Sequence, residues 1–310
     1  MICLGDKKYL VASGAGFFRE PTPPEPYYIR GTGTPNASFE VELPCIDERT
    51  GEQVTVTAHI DIDSNGVWSY PYTGKKIRTM SNLFKGNTNI ISIEFTEDLS
   101  ENVTLSNTFQ NCTNLVSVNF GDNADFTKAR NCAHTFNGCS SLTTVLNMNK
   151  STLNPTGLTN TFYNCSSLTS VDLSNVAFDG SVSNSTFGYC TSLTSVDLSS
   201  AIYSSTTGMS TMYRNCTSLR TIDMRSALLS SVSTITNYFS NCNSLETIRF
   251  DSIQASYSIL STIIDSLETF SSGTHQVVID EDNFTTTYTS QEQQDIEDAL
   301  NNKGWTLTLT

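Results

Sequence analysis

One pattern recurs along this chain at nearly constant intervals, and it limits the fold more than any other feature. Six segments carry aromatic-x-x-Cys-x-x-Leu-x-x-Val/Ile: Phe109/Cys112/Leu115/Val118, Phe136/Cys139/Leu142/Val145, Phe162/Cys165/Leu168/Val171, Phe187/Cys190/Leu193/Val196, Tyr213/Cys216/Leu219/Ile222 and Phe239/Cys242/Leu245/Ile248. A seventh copy precedes them with Asn in the Cys slot: Phe84/Asn87/Ile90/Ile93. From Asn87 through the six cysteines the steps are 25, 27, 26, 25, 26 and 26 residues. A fixed period of this size specifies a solenoid or similar array, in which each repeat is one unit stacked on the last.

Each coil can be read physically. Val171 and Leu173 lie two apart and share one face of a short strand, while Ser170 and Asp172 take the other. Thr161–Cys165 lacks alternation and suits a helical turn that points Phe162 and Cys165 inward. Parallel strands about 4.8 Å apart predict a stack roughly 34 Å long for seven coils. One coil cannot stand alone, because a handful of buried apolar side chains does not offset the entropy of ordering about 26 residues. The array therefore requires its neighbours and sealed ends.

The ladder also bears on the nine cysteines. Equivalent side chains in successive coils run parallel, a poor geometry for disulfides. Cys112, Cys139, Cys165, Cys190, Cys216 and Cys242 read as buried free thiols behaving as small hydrophobes. With Phe109, Phe162, Phe187 and Phe239 they form the expected core ladder. The sequons at Asn111, Asn164 and Asn215 are by-products of the repeat.

The Phe-x-x-Cys-x-x-Leu-x-x-Val-x-Leu spacing over Met80–Asp251 resembles the BspA-like leucine-rich repeats of bacterial surface proteins and phage virion proteins. The resemblance implies a parallel β solenoid whose exposed strand face serves attachment rather than catalysis. Repeat three departs from it at Val145-Leu146-Asn147-Met148.

The flanks differ from the repeat. Residues 1–18 read as a docking arm and 19–26, rich in proline, as a stiff linker. Residues 27–78 read as a small antiparallel β module, with Phe39, Val41 and Leu43 alternating with Glu40 and Glu42. Asn65-Gly66 predicts a hairpin turn. The segments around Gly31–Ala37 and Asp63–Ser69 resemble bacterial immunoglobulin-like modules. Residues 79–254 are assigned to the seven-repeat solenoid and 255–310 to an α/β cap. In the cap, Tyr257–Phe270 shows helical spacing, Gln276–Asp280 reads as a strand, Ser290 and Gln293 form a capping box, and Trp305, Leu307 and Leu309 alternate in a last strand. The Asn302–Trp305 ending resembles caps of the same repeat family.

Catalysis finds no foothold. His59, His134 and His275 lie in three regions outside any recognisable motif, and no cofactor is expected. Cys132 with His134 is a weak metal pair. Asp61, Asp63 and Asn65 open a D-x-D-x-N-G calcium pattern, but Tyr72 occupies the twelfth position where Glu belongs. The net charge of -14, with 17 Lys+Arg against 31 Asp+Glu, argues against nucleic acid as a partner. No apolar run reaches membrane-span length.

The strand face is the candidate site. One outward column is Ser92, Ser117, Thr144, Ser170, Ser195, Thr221 and Thr247; the other is Glu94, Asn119, Leu146, Asp172, Asp197, Asp223 and Arg249. Stacked Asp172, Asp197 and Asp223 repel unless solvated, bound to a cation or met by a basic partner. The expectation is a non-enzymatic phage virion structural protein (head fibre, decoration or tail-associated). It would form a homo-oligomer, dock on other virion proteins through its arm, and meet a host glycan or surface protein by this face. Met1–Phe18 lacks the pattern of a secretory leader, which favours cytoplasmic synthesis and a virion over the alternative, a bacterial cell-surface adhesion protein whose leader has been removed.

Overall fold

A computed structural model describes residues 9–10, 18–19, 27–72, 75–96, 99–122, 124–148, 157–174, 183–198, 206–225, 229–250 and 253–310. The docking arm and proline linker fall outside them, apart from an antiparallel pair of two-residue strands, β1 (Tyr9–Leu10) and β2 (Phe18–Arg19).

The repeats form a parallel β-rich solenoid. Their strands are β8 (Ile90–Phe95), β9 (Ser117–Asn119), β10 (Thr144–Leu146), β11 (Ser170–Asp172), β12 (Ser195–Asp197), β13 (Thr221–Asp223) and β14 (Thr247–Phe250). They pair in parallel, in register, within two sheets. One sheet has the order β10-β9-β8-β3-β6 and the other runs from β11 to β16. No strand pairing joins β10 to β11 among the described residues. The cause is the irregular repeat. Val145 and Met148 are both buried, three residues apart where the other coils place two, and Asn147 takes up the extra residue with a left-handed φ of 64°. Leu146 stays outward and half exposed.

The turns supply a second ladder. In every coil the residues two before and two after the stacked ring have positive φ: Asn82, Asn107, His134, Asn160, Ser185, Thr211 and Asn237 before it, and Gly86, Asn111, Gly138, Asn164, Tyr189, Asn215 and Asn241 after it. Backbone N–H groups then alternate in direction. Asn160, Phe162 and Asn164 donate to Asn184, Thr186 and Gly188 of the next coil at 2.8–3.0 Å. Thr161, Tyr163 and Cys165 donate instead to the residue three back in their own coil. The expected helical turn is thus modified so that half its amides face the neighbouring coil, and every amide in it is paired. The turn ladder crosses the β10/β11 gap without interruption, through His134, Phe136 and Gly138 donating to Thr159, Thr161 and Tyr163.

Inside, the rings of Phe84, Phe109, Phe136, Phe162, Phe187, Tyr213 and Phe239 form one stack with centroids 5.2–5.5 Å apart and planes within 15°. The cysteines have a role that hydrophobicity alone does not describe. Each thiol donates to the carbonyl of the stacked ring residue one coil back: Cys112 to Phe84, Cys139 to Phe109, Cys165 to Phe136, Cys190 to Phe162, Cys216 to Phe187 and Cys242 to Tyr213, all at 2.9–3.1 Å. The first coil has no repeat behind it to accept such a bond. There Asn87 turns its side-chain oxygen onto the N–H groups of Asn89 and Ile90. All eight described cysteines are buried, and the six of the ladder keep their thiols free of disulfides. Burial pushes the thiols of Cys112, Cys190 and Cys242 up to about 12.

The segment 27–78 is joined to the solenoid by backbone hydrogen bonds. Its β3 (Tyr27–Gly33) pairs antiparallel with β8 and with β6 (Val67–Tyr72), so both extend the first solenoid sheet. β4 (Ser38–Asp47), β5 (Gln53–Asp61) and β7 (Lys75–Ile77) make a separate three-stranded sheet in the order β5-β4-β7. The Asn65-Gly66 turn therefore joins strands of different sheets and is not a hairpin. Asp63 shapes it, its Oδ1 accepting the N–H groups of Asn65 and Val67 at 2.8 and 2.9 Å.

At the other end, α1 (Tyr257–Asp265) buries Ile259, Leu260, Ile263 and Ile264. β15 (Gln276–Ile279) and β16 (Thr306–Leu309) then continue the parallel ladder beyond β14, so the cap adds two more strands to the sheet. Between them lie α2 (Glu281–Thr287), which the sequence reading missed, and α3 (Ser290–Asn302). The capping box is Thr289 with Glu292, one residue before the predicted pair, because Ser290 already belongs to the helix. Gly304, with φ of 77°, ends the helix where a Cβ would lie 2.1 Å from the Phe270 carbonyl oxygen.

Candidate functional site: the strand face

Three-residue strands flanked by turns leave one side chain pointing inward and two outward. The register aligns the outward positions of adjacent coils. The structure divides them into two groups at the β10/β11 gap.

The first group centres on Glu94 and Asn119, neighbours in register. Arg30 of β3 pairs with Glu94 at 2.8 Å, and Asn119 donates to the other Glu94 oxygen at 3.4 Å. Asn147, the extra residue of repeat three, donates to Asn119 Oδ1 at 2.8 Å. Beside them the Thr32 and Ser92 hydroxyls share a hydrogen bond of 2.8 Å. Arg30, Thr32, Ser92, Glu94, Asn119 and the half-exposed Val67 border a shallow depression of about 390 Å³. Arg30 was not among the predicted site residues. Its signal was the alternation of Arg30 and Thr32 about Gly31, next to a strand whose pairing the sequence does not state.

Ser117, Thr144 and Leu146 also lie on the first sheet, and the second group holds the predicted residues of β11 to β14. Ser170, Ser195, Thr221 and Thr247 form one column, and Asp172, Asp197, Asp223 and Arg249 the other. β15 continues the first column with Gln276, which donates to the Thr247 hydroxyl at 3.3 Å, while Val278, paired in register with Arg249, is buried. Arg225 folds back on Asp223, its Nε 3.0 Å from both carboxylate oxygens. It relieves part of the repulsion expected along the aspartate column. The spacing Asp223-x-Arg225 was visible in the sequence, but Arg225 lies beyond the strand and was not counted. Asp197, Asp223, Arg225, Ser195 and Thr221 line a smaller depression of about 210 Å³. Ion pairs this exposed add little stability, so the charges are there at little structural advantage.

The core-ladder residues Phe109, Cys112, Cys139, Phe162, Cys165, Phe187, Cys190, Cys216, Phe239 and Cys242 are all buried and do not reach this face. Among the described residues no group of three or more His, Cys, Asp or Glu is arranged to hold a metal. Asp61 faces His59 Nε2 at 3.2 Å while Asp63 serves the loop amides, so the two carboxylates of the calcium pattern point to different partners. His134 occupies a left-handed turn position and meets Asn137 at 3.0 Å, and burial together with Lys85 lowers its pKa. Among the described residues, no helix is long and apolar enough to cross a membrane.

The family model for the BspA type leucine rich repeat region matches residues 74–154, 130–230 and 158–289, in six copies, and so spans more than half of the chain. The chain belongs to the BspA-type leucine-rich-repeat family. These are repeats of a non-enzymatic, surface- and protein-interaction architecture. A search of curated proteins gives no match. The matched span includes β8 to β15, and hence both groups of outward residues except those of β3 and β6.

Proposed function

We propose that this BspA-type chain is a non-enzymatic attachment protein that meets a macromolecular surface, a protein foremost, through its strand face. The observation that carries this reading is the aligned set Asp172, Asp197, Asp223 and Arg249. Their side chains are held on one face by backbone pairing and contribute nothing to the core. An extended flat face suits many weak contacts, and multiple copies on one particle multiply their strength. The acidic column selects a partner with basic groups.

The setting we favour is a virion, with residues 1–18 docking the chain on other virion proteins and a homo-oligomer presenting several faces. A bacterial cell surface would use the same face in the same way. Mass spectrometry of purified particles distinguishes the two settings. The face itself is tested by labelled protein binding to intact bacterial cells. Asp172→Lys with Asp197→Lys is expected to weaken binding at least tenfold while leaving the melting curve in place. Equal binding by wild type and double variant refutes the role of the face.

A further inference from the structure

Ten of the fourteen left-handed positions of the turn ladder hold Asn or Gly, and three of the four exceptions lie in two adjacent coils. After the stacked ring, every coil uses Asn or Gly except one, which uses Tyr189 at φ 64°. Before the ring, Asn is replaced by Ser185 in the same coil and by Thr211 in the next, at φ 54° and 58°. His134 is the one exception outside these two coils. A bulky aromatic and a β-branched residue are the least suited to that conformation.

The same place has a second departure. Gly188 stands one residue after the ring, where the adjacent coils carry Tyr163 and Arg214. A Cβ there would lie 3.1 Å from the Tyr163 ring and 3.5 Å from the Ser185 Cβ. The missing side chain lets Tyr163 lie across the coil and meet Tyr189 edge to face, with centroids 5.3 Å apart. The Ser185 and Thr211 hydroxyls are joined at 2.6 Å. Tyr189 is 36% exposed, and Arg214 is exposed beside it.

The core does not need these residues, since the ring stack and the cysteine ladder run through the same coils unchanged. Backbone strain kept at a surface position, with an aromatic pair above it and neutral hydroxyls beside it, marks a site that makes contacts. The chemistry selects the ligand. Tyrosine presents an apolar face with a polar tip, and a sugar ring presents an apolar C–H face edged by hydroxyls. The flanking Ser185, Thr211 and Asn164 groups are neutral donors and acceptors matched to those hydroxyls.

We propose that Tyr163 and Tyr189, with the Ser185–Thr211 hydroxyl pair, form a saccharide-binding platform on the turn ladder, separate from the strand columns. The test is titration of the full chain with four neutral tetrasaccharides: α-1,4-linked glucose, β-1,4-linked glucose, β-1,4-linked galactose and β-1,4-linked N-acetylglucosamine. Saturation-transfer NMR is the readout. At least one is expected to bind with a millimolar or tighter Kd. Tyr189→Asn, which restores the residue used at Asn164 and Asn215 and so keeps the fold, is expected to weaken binding at least tenfold. Tyr189→Phe keeps it within about threefold, since the ring carries the contact. Asp172→Lys with Asp197→Lys leaves it unchanged, so failure here and failure of the strand-face reading are separable. The platform is overturned if none of the four sugars binds, if Tyr189→Asn binds like wild type, or if the aspartate variant abolishes sugar binding.

Discussion

Replacing Cys165 by alanine and by serine separates two explanations of the cysteine ladder. Its thiol donates to Phe136 O at 3.1 Å across the β10/β11 gap, and the residue is fully buried. Alanine removes one buried heavy atom, worth about 1 kcal/mol of transfer and cavity terms together. It also removes the hydrogen bond to Phe136 O, worth about 1 kcal/mol. The sum is about 2 kcal/mol, or a melting point lower by roughly 4–8 °C for a structured region of this size. Serine keeps a donor on the same trajectory and is expected to cost about 1 kcal/mol or less. Urea unfolding followed by circular dichroism gives both values, provided the far-ultraviolet and tryptophan transitions coincide. A thiol acting only as a small hydrophobe demands the reverse order, because a buried hydroxyl without a partner is worse than a methyl. Serine less stable than alanine at this site would therefore refute the donor role.

The thiols also set a pH dependence. Burial raises their folded pKa above the unfolded value, so their contribution is complete below about pH 8.5 and is lost as pH rises toward about 12, the value for Cys112, Cys190 and Cys242. Denaturation midpoints should fall steadily over that window, each such thiol adding a slope of about 1.4 kcal/mol per pH unit; a flat profile contradicts the burial. Asn164→Ala, at φ 59°, is expected to cost about 1–2 kcal/mol in thermal melts, although its side chain is exposed. Thr289→Ala removes the capping box of α3 and should cost about 1 kcal/mol, seen as faster amide exchange in its first turn.

The fold was legible where side-chain spacing encodes it. Phe, Cys, Leu and Val at fixed intervals specified the coil, its inward residues and the two outward columns. Backbone conformation was harder to read. The left-handed positions are filled mostly by Asn and Gly, with His134, Ser185, Thr211 and Tyr189 as exceptions; Asn and Gly mark turns of many kinds, so their recurrence does not by itself specify this one. Asn65-Gly66 marks a turn but not which strands it joins, and β5 and β6 lie in different sheets. Thr289/Glu292 and Ser290/Gln293 both satisfy the capping pattern, and only helix geometry chooses between them. Of the candidate site, the aspartate column was read from the repeat itself. Arg30 and Arg225 reach the same face from outside the repeat, and no period announces them.

Two seams hold each coil to the next, and they do not share the same interruption. Between the third and fourth repeats the strand seam stops at Asn147 while the turn seam, the ring stack and the Cys165 thiol carry on. A force pulling the coils apart lengthwise meets both seams at the other described junctions and one of them here. The molecule has a crease, and single-molecule stretching is expected to show its first rupture there, dividing the array into halves of three and four repeats.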